Sequence, residues 1–416
     1  MYLNALNALL VLGLLSVGAA DAEVFSREEA VRIALERNPQ ISVARQEWKA
    51  VRARATQARA LPAPEAEAEW DGLPGATSIG DFEERNIGIR QQIGWPMEWW
   101  RRKQAVDLEA ESVRWSALAM TELEIATRVR IAYDRVLSGR QVLAFEEEHL
   151  QLIRDFQDKA RLRFEAGDVA KLEVLRARVE VGRATARVAS AQNALAAAQG
   201  ALNALMARDT EATVETVGAL THQTIALDLN LLKQQALTQR PDLLGAERSA
   251  SSRRALQGAA RASLVPDLNV GLFRQKVRQP TGNENLWRVE IGLEIPLWAA
   301  YSKRGQLAEA HAEAGQAQAE VEVVRRQVLL DVENALRDVQ TTGRLVKLFK
   351  SDVLYEAEQA LVAVNRSYEE GKATYLEVIE TQRALAETRL EYAQTMLAFS
   401  VAQTELERAV GGALSE

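Results

Sequence analysis

The chain has 416 residues, of which 26% are charged and 47% are hydrophobic, a composition typical of folded proteins that excludes a wholly disordered chain. Its formal net charge of −7 argues against a nucleic-acid binder held by phosphate contacts. Cysteine is absent, which excludes disulfides, thiolate metal sites, cysteine nucleophiles and lipid attachment through an N-terminal cysteine.

The chain begins with a predicted targeting segment. An apolar run from Ala8 to Ala20 is followed by the small-x-small pattern Ala20-Asp21-Ala22. This pattern predicts a secretory signal peptide over residues 1–22, cleaved after Ala22. The segment before the apolar run lacks Lys and Arg, so an uncleaved anchor is the alternative. Beyond it, no run of about 18 apolar residues predicts a membrane-spanning helix.

The rest of the chain carries an internal repeat. Prolines 39 and 64 and Gly167, each in a similar local sequence, recur roughly 200 residues later as prolines 241 and 266 and as Gly371. The predicted division is a first repeat over 23–215, a linker over 216–229 and a second repeat over 230–416.

Each repeat opens with a predicted helix, over 26–60 and 230–262, and Ser26 with Glu29 forms a predicted capping box. Two segments with strict alternation follow in each repeat, as expected of strands rather than helices. The predicted strand pairs are 65–71 with 87–95 and 267–278 with 286–295. In the first of these strands Glu65 and Glu67 fall on one face, whereas Ala66 and Ala68 fall on the other.

Aromatic residues cluster at the ends of the strand pairs and suggest a belt at a membrane interface. They are Trp95, Trp99, Trp100, Trp298 and Tyr301. Long proline-free helical patterns follow over 101–165 and 302–369. Glycine turns at 165–170 and 369–374 then reverse the chain into returning helices. The predicted fold is mainly α with a small β part, built on long coiled-coil hairpins and an internal duplication.

The signal peptide, the duplicated helix, strand-pair and long-helix plan and the twin glycine turns resemble the TolC family of outer-membrane efflux proteins. The resemblance covers essentially the whole chain after the signal peptide. The junctions over 93–103 and 295–305 look most like the CzcC branch, which serves heavy-metal efflux.

This resemblance implies a homotrimer in the outer membrane that extends into the periplasm. Each chain would supply four strands to a 12-stranded barrel, which continues into a 12-helix tunnel. The implied function is a passive exit duct that contacts outer-membrane lipid, a periplasmic adaptor and an inner-membrane RND-type pump, with heavy-metal cations as cargo. Multidrug efflux and type I protein secretion are alternatives, and a soluble periplasmic coiled-coil scaffold is a rival from another class.

The resemblance also assigns roles to the turns. In the family the hairpin tips meet the adaptor. The corresponding residues here are Glu165, Gly167, Asp168, Val169, Glu369, Gly371, Lys372 and Ala373. The alternative is that the two glycines merely permit chain reversal.

A periplasmic gate is implied by acidic positions six and nine residues after Gly371, which are Glu377 and Glu380, and by Tyr368. Carboxylates three residues apart share a helix face and would attract cations around a common axis. An ordinary solvated helix face is the alternative.

The charged face of the strands is predicted to line the barrel lumen, and the alternative is the solvent side of a soluble sheet. These residues are Glu65, Glu67, Glu69, Arg90, Arg288, Glu290 and Glu294.

Catalytic chemistry is not indicated. The three histidines, at positions 149, 222 and 311, are far apart in sequence and form no ligand motif. No phosphate-binding loop, zinc-protease motif or nucleophile elbow occurs. We therefore expect neither enzymatic activity nor a resident cofactor or metal.

Overall fold

The structure is a computed structural model that describes residues 23–75, 80–222, 227–280, 282–294 and 299–414. The predicted signal peptide lies outside the described residues. Within those ranges, no helix has both the length and the apolarity required to cross a membrane.

The described elements follow the duplicated order predicted from the sequence. In the first repeat they are β1 (Glu23–Phe25), α1 (Arg27–Arg37), α2 (Pro39–Gln57), β2 (Glu65–Asp71), β3 (Glu84–Ile93), α3 (Pro96–Val113), α4 (Met120–Glu165), α5 (Lys171–Leu205) and β4 (Val214–Thr216). In the second they are α6 (Leu229–Gln239), α7 (Pro241–Ala262), β5 (Asp267–Gln279), β6 (Gly282–Glu294), α8 (Ala299–Leu348), α9 (Leu354–Glu369) and α10 (Tyr375–Val410).

Two helices open each repeat, so the prediction of a single continuous helix there was wrong. The break lies at Asn38 and at Arg240, whose backbones are extended with ψ of 126° and 118°. A following proline disfavours helical backbone at the residue before it, which places the break there. The Asn38 side chain accepts the Gln40 N–H at 2.9 Å and starts α2. Ser26 starts α1 in the same way, accepting the Glu29 N–H at 3.1 Å.

The four longer strands form one antiparallel sheet in the order β2-β3-β5-β6. The two hairpins, one from each repeat, join through the β3–β5 pair. The strand predicted over 87–95 lies three residues earlier at its start and ends at Ile93, and β6 starts at Gly282 instead of at residue 286. Strands β2 and β6 are the edges of the sheet, so the single chain leaves two open edges.

A helical path leaves the sheet in each repeat. The first runs from Pro96 to Glu165 and includes a π-helical segment, Arg114–Ala119, between α3 and α4. The second runs from Ala299 to Glu369 and includes a π-helical segment, Phe349–Val353, between α8 and α9. At ~1.5 Å per residue each path is on the order of 100 Å long. Each then reverses into α5 or α10.

Three apolar clusters hold the helices together. One lies in the first repeat around Ile41, Val129 and Leu202, and one lies in the second repeat around Leu243, Val328 and Leu406. The third packs both hairpins against each other near their tips. The parallel pair of β1 and β4 closes the first cluster, so the start of the predicted linker is attached to the first repeat.

Candidate functional site

The two hairpin tips have the same backbone geometry. Gly167 and Gly371 have φ of +85° and +72°, a left-handed conformation that other residues adopt at a cost. The N–H of Asp168 bonds to the Arg163 carbonyl at 2.8 Å, and that of Lys372 bonds to the Ser367 carbonyl at 2.8 Å. Together with the glycine N–H bonds, these contacts form a Schellman motif at each tip.

The predicted docking residues are accessible at both tips. The charged members Glu165, Asp168, Glu369 and Lys372 are exposed, whereas Val169 and Ala373 are half-buried. A Cβ added to either tip glycine would meet no atom within 4 Å. The glycines are therefore required by the backbone conformation and not by crowding.

The predicted gate residue Glu377 has a local structural role. Its carboxylate accepts the Thr374 N–H at 2.6 Å, and the Thr374 hydroxyl accepts the Glu377 N–H at 3.4 Å, which makes a capping box at the start of α10. These bonds from the Thr374 backbone and hydroxyl hold the pKa of Glu377 below its ordinary value. Glu380, one turn later, is exposed.

The first repeat has no such cap, because Ala170 replaces the threonine. Glu173, the counterpart of Glu377, has a buried Oε2 for which no hydrogen-bond partner is found among the described residues. The two tips therefore share a turn but differ in how the returning helix begins.

Tyr368, the third residue predicted for the gate, is buried in the single chain. Its ring lies 5.2 Å from that of Phe156, which lies 5.2 Å from that of Tyr375, and the Arg163 guanidinium stands 4.9 Å over Tyr368. Phe156 and Arg163 belong to the first hairpin, and the two tyrosines belong to the second. Tyr368 therefore packs one hairpin against the other.

An ion pair next to this cluster was not predicted from the sequence. Glu180 of α5 is buried and receives Arg383 of α10, with Nε 3.1 Å from Oε2 and Nη2 in contact with Oε1. Arg183 reaches the same carboxylate at 3.0 Å. We call the Glu180–Arg383 pair the inter-hairpin clasp. It joins residues 203 positions apart, so no local sequence pattern could reveal it.

Arg187, about two turns beyond Glu180 on α5, forms a second ion pair with Glu146 at 3.2 Å, and His149 is buried beside it. Burial, with a smaller contribution from Arg187, lowers the pKa of His149 to about 4, so the ring is neutral at neutral pH. His149 and Gln382 both line a cavity of about 20 Å³, enough for one water molecule, and no hydrogen-bond partner is found for His149 Nε2 or Gln382 Oε1 among the described residues.

The charged residues predicted for the barrel lumen share one face of the sheet. Strand register places Glu65 opposite Arg90, and Gly271 opposite both Arg90 and Glu290. Arg90 bridges Glu67 at 3.1 Å and Glu290 at 3.4 Å, and Arg288 lies 3.8 Å from Glu290. Glu69 lies on this face opposite Asn86, and Glu294 is described here only by its backbone pairing with Asp267.

An aromatic ring lies in the middle of this charged face. Phe273 is buried and covers Gly88 and Gly271, where an added Cβ would come within 2.6 Å and 2.5 Å of the ring. The guanidiniums of Arg90 and Arg288 lie 5.8 Å and 5.9 Å from its centre. Gly271 is therefore required by the close approach of the ring, and Gly88 by the ring together with the Leu272 carbonyl oxygen, which would lie even closer to an added Cβ.

The opposite face is apolar and exposed in the rows nearer the helices, as expected of a surface that meets lipid. Its exposed members include Ile87, Ile89, Leu272, Val289, Ile291 and Leu293. Of the predicted interface aromatics, Trp95 and Trp100 are exposed, Tyr301 is 92% exposed, and Trp99 is half-buried under Lys103. Trp298 lies outside the described residues.

Comparison with known families decides the identity. The family model described as outer membrane efflux protein matches residues 30–208 and 232–412, one stretch in each repeat. The chain belongs to this family. The two matched stretches also show the internal duplication independently of the fold.

Among outer membrane efflux proteins, the cobalt-zinc-cadmium resistance protein CzcC of Cupriavidus metallidurans is 27% identical over 405 residues, which is 95% of this chain and 94% of CzcC. The pyoverdine export outer membrane protein OpmQ of Pseudomonas putida is 29% identical over 43% of this chain and 38% of OpmQ. A crystal structure of the channel protein CusC has a TM-score of 0.79 at 20% identity and covers 93% of this chain and 92% of that one.

The predicted family and fold class are confirmed. The chain has the fold of outer-membrane efflux channels, in which strands form a membrane barrel and long helices form a helical barrel. The protein is an outer-membrane channel component that extends into the periplasm, and members of this family conduct instead of catalysing. The rival interpretation as a soluble periplasmic scaffold is thereby excluded.

Proposed function

We propose that three copies of the chain form the passive exit duct of a tripartite efflux system for heavy-metal cations. The hairpin tips would receive a periplasmic adaptor, and an inner-membrane RND-type pump would supply the energy. Trimer formation is supported by the open edges β2 and β6, because a sheet in a membrane must close on itself to satisfy its backbone groups.

The observation that carries the cation proposal is the charge of the sheet's polar face. Among the residues whose side chains the structure describes, register places eight carboxylates on it against only the two arginines Arg90 and Arg288. The carboxylates are Glu65, Glu67, Glu69, Asp71, Glu84, Asp267, Glu284 and Glu290. A narrow passage lined by one sign of charge raises the local concentration of counter-ions.

The chemistry of a duct does not require it to bind its cargo tightly. Among the described residues, no group of three or more His, Asp or Glu side chains could hold a metal ion. A metal cation would pass along the acidic face as cargo, drawn by charge and released readily.

Similarity to CzcC over nearly the whole of both chains supports metals as the cargo. The partial similarity to OpmQ supports a second candidate, the export of small organic molecules through the same duct. Secretion of proteins by a type I system is a further alternative for the same fold.

The test combines growth and conductance. A deletion strain should become sensitive to cobalt, zinc or cadmium salts but not to a panel of antibiotics. In planar bilayers the reversal potential under a KCl gradient should show cation preference. Glu65→Gln with Glu69→Gln should reduce that preference, because neither carboxylate is part of the Arg90 bridge.

The matched control is Glu28→Gln with Glu47→Gln, which removes the same charge from exposed helix positions. It should leave the reversal potential unchanged. Equal shifts in both double variants, or a shift in neither, would contradict the placement of the acidic face in the lumen. Drug sensitivity without metal sensitivity would favour the second candidate.

A further inference from the structure

The outward face of the sheet changes character toward its hairpin loops. In the rows of Ile89 and Leu272 it is apolar, whereas Arg85, Arg274 and Lys276 lie on the same face nearer the loops. Register places Arg85 directly opposite Lys276, and Arg274 between Ile87 and Trp287. We call Arg85, Arg274 and Lys276 the basic rim.

The basic rim is electrostatically uncompensated within the chain. Its carboxylate neighbours along the strands, such as Glu84, project from the opposite face because side chains alternate. Among the described residues, no ion pair is found for any of the three. Arg85 and Arg274 lie over the rings of Phe82 and Trp287 at 5.3 Å and 5.2 Å.

Lys276 destabilises the sheet when the chain has no external partner at this position. Like charges directly opposite each other on neighbouring strands destabilise a sheet. Arg85 and Lys276 are such a pair, and they adjoin an apolar surface with little water of its own. An anion from outside the chain would turn this repulsion into two attractive contacts.

The distance of the basic rim from the Trp95 end of the sheet, measured along the membrane normal, indicates where that anion lies. From Arg85 to Trp95 is ten residues. This span is ~34 Å along an extended strand and about 24 Å along the membrane normal at a tilt of ~45°. The apolar band of such barrels is ~25 Å tall. Trp95 adjoins α3, which leads toward the periplasm, so the basic rim lies at the headgroups of the outer leaflet.

We propose that the basic rim binds the phosphate groups of the outer-leaflet glycolipid. Two arginines and a lysine supply the donors that phosphate oxygens accept, and arginine can bind them in a bidentate manner. The apolar rows below would contact acyl chains of the same molecule, which distinguishes a membrane lipid from free phosphate. Trp70 and Trp287 flank the basic rim as interfacial aromatics. This inference rests on the sheet being part of the barrel wall.

The experiment uses the full-length protein in nanodiscs and measures lipid binding by native mass spectrometry. The probes are bisphosphorylated lipid A, the same lipid without phosphates, and inorganic phosphate. The wild-type protein should prefer the bisphosphorylated lipid. The triple variant Arg85→Gln, Arg274→Gln and Lys276→Gln should lose roughly 100-fold of that affinity, since each basic residue near an anionic surface contributes about fivefold.

The matched control Lys49→Gln, Lys347→Gln and Lys350→Gln removes the same charge from exposed helix positions and should bind as wild type. Equal loss in the control, or full binding by the triple variant, would overturn the proposal. Complete competition by inorganic phosphate would do the same, because it would show a site for free phosphate.

The single variant Lys276→Gln keeps the proposal testable if the triple variant does not assemble. In a zwitterionic detergent it should raise the melting temperature, because it removes the repulsion with Arg85. In bisphosphorylated lipid A it should lower the melting temperature, because it removes a lipid contact. A shift of the same sign in both media would contradict the lipid site. Conductance measured on the same samples reports separately on the duct.

Discussion

Replacing Arg383 by glutamine should loosen the inter-hairpin clasp. The Glu180 side chain is 6% exposed and accepts hydrogen bonds from Arg383 through both oxygens, whereas the Arg383 side chain is 37% exposed. A buried carboxylate that loses a charged donor leaves its desolvation uncompensated. Arg183 still reaches the carboxylate at 3.0 Å, so the loss is partial.

The magnitude follows from these contacts. Hydrogen bonds to a charged group contribute about 1.5–3 kcal/mol, and partial exposure of Arg383 with retention of Arg183 places the loss near 2 kcal/mol. A change of this size corresponds to roughly 30-fold in the equilibrium for local opening. The opening unit is the first part of α10, which contains Arg383.

Amide hydrogen exchange on the detergent-purified protein measures this opening. Amides over 375–390 should exchange roughly 30-fold faster in Arg383→Gln than in wild type at neutral pH. The matched control is Arg183→Gln, which removes a donor to the same carboxylate from a side chain that is 59% exposed. Exposed ion pairs contribute at most about 1 kcal/mol, so its effect should be several-fold smaller.

The pH dependence gives a second criterion. Burial alone would raise the pKa of Glu180. The hydrogen bonds from Arg383 and the charges of Arg383, Arg183 and Arg187 together outweigh that effect, so the pKa lies below its ordinary value. A carboxyl with a depressed pKa stabilises the fold above its unfolded pKa of about 4.3, and that stabilisation is lost as the pH falls through the folded pKa. The ratio of the amide exchange rates in Arg383→Gln and wild type should therefore fall toward one in acid. A ratio that is the same at pH 7 and in strong acid, or no acceleration at pH 7, would refute the reasoning.

Two further predictions concern the tips. Gly371→Ala should destabilise the second tip by about 1 kcal/mol because of its left-handed backbone, whereas Gly182→Ala, in an uncrowded helix interior, should stabilise by about 0.5–1 kcal/mol. Thermal unfolding of both variants tests this. Equal destabilisation by Gly371→Ala and Gly182→Ala would show that the left-handed backbone at Gly371 is not the cause. Thr374→Ala should cost the start of α10 about 1 kcal/mol. Hydrogen exchange over 375–378 measures this loss. Thr395→Ala is the control, because its hydroxyl bonds to the Glu391 carbonyl far from the start of α10. Equal exchange rates in the two variants would contradict a capping role for Thr374 and Glu377.

The sequence predicted those parts of the fold that follow local periodicity. Alternation along the chain located the four strands of the sheet and separated charged from apolar positions along most of β2, β3 and β6. The glycine turns located both tips. The helix breaks at Asn38 and Arg240 were missed because the helical pattern of apolar residues continues across them. The rule for residues that precede proline could have revealed the breaks. The π-helical segments could not be predicted in this way. A π-helical turn holds one extra residue, but no particular residue type marks it in the sequence.

Side-chain partners were less predictable, because they depend on contacts between distant segments. Glu377 lies six residues after Gly371, the spacing that the family resemblance assigns to a gate. It also lies three residues after Thr374, which is the spacing of a capping box. The resemblance places Tyr368 in the gate, but its contact with Phe156 of the other hairpin appears only in the structure. The basic rim required strand register, since alternation within one strand does not show which residues lie opposite.

The inter-hairpin clasp also bears on how the duct would open. Glu180 and Arg383 belong to one chain, so each copy in the proposed trimer holds its own clasp, and rupture of one does not require rupture of the others. Three clasps that break independently give a pore with four states, from fully closed to fully open. Single-channel recordings would then show partial conductance levels, and opening would be graded by how many clasps are broken.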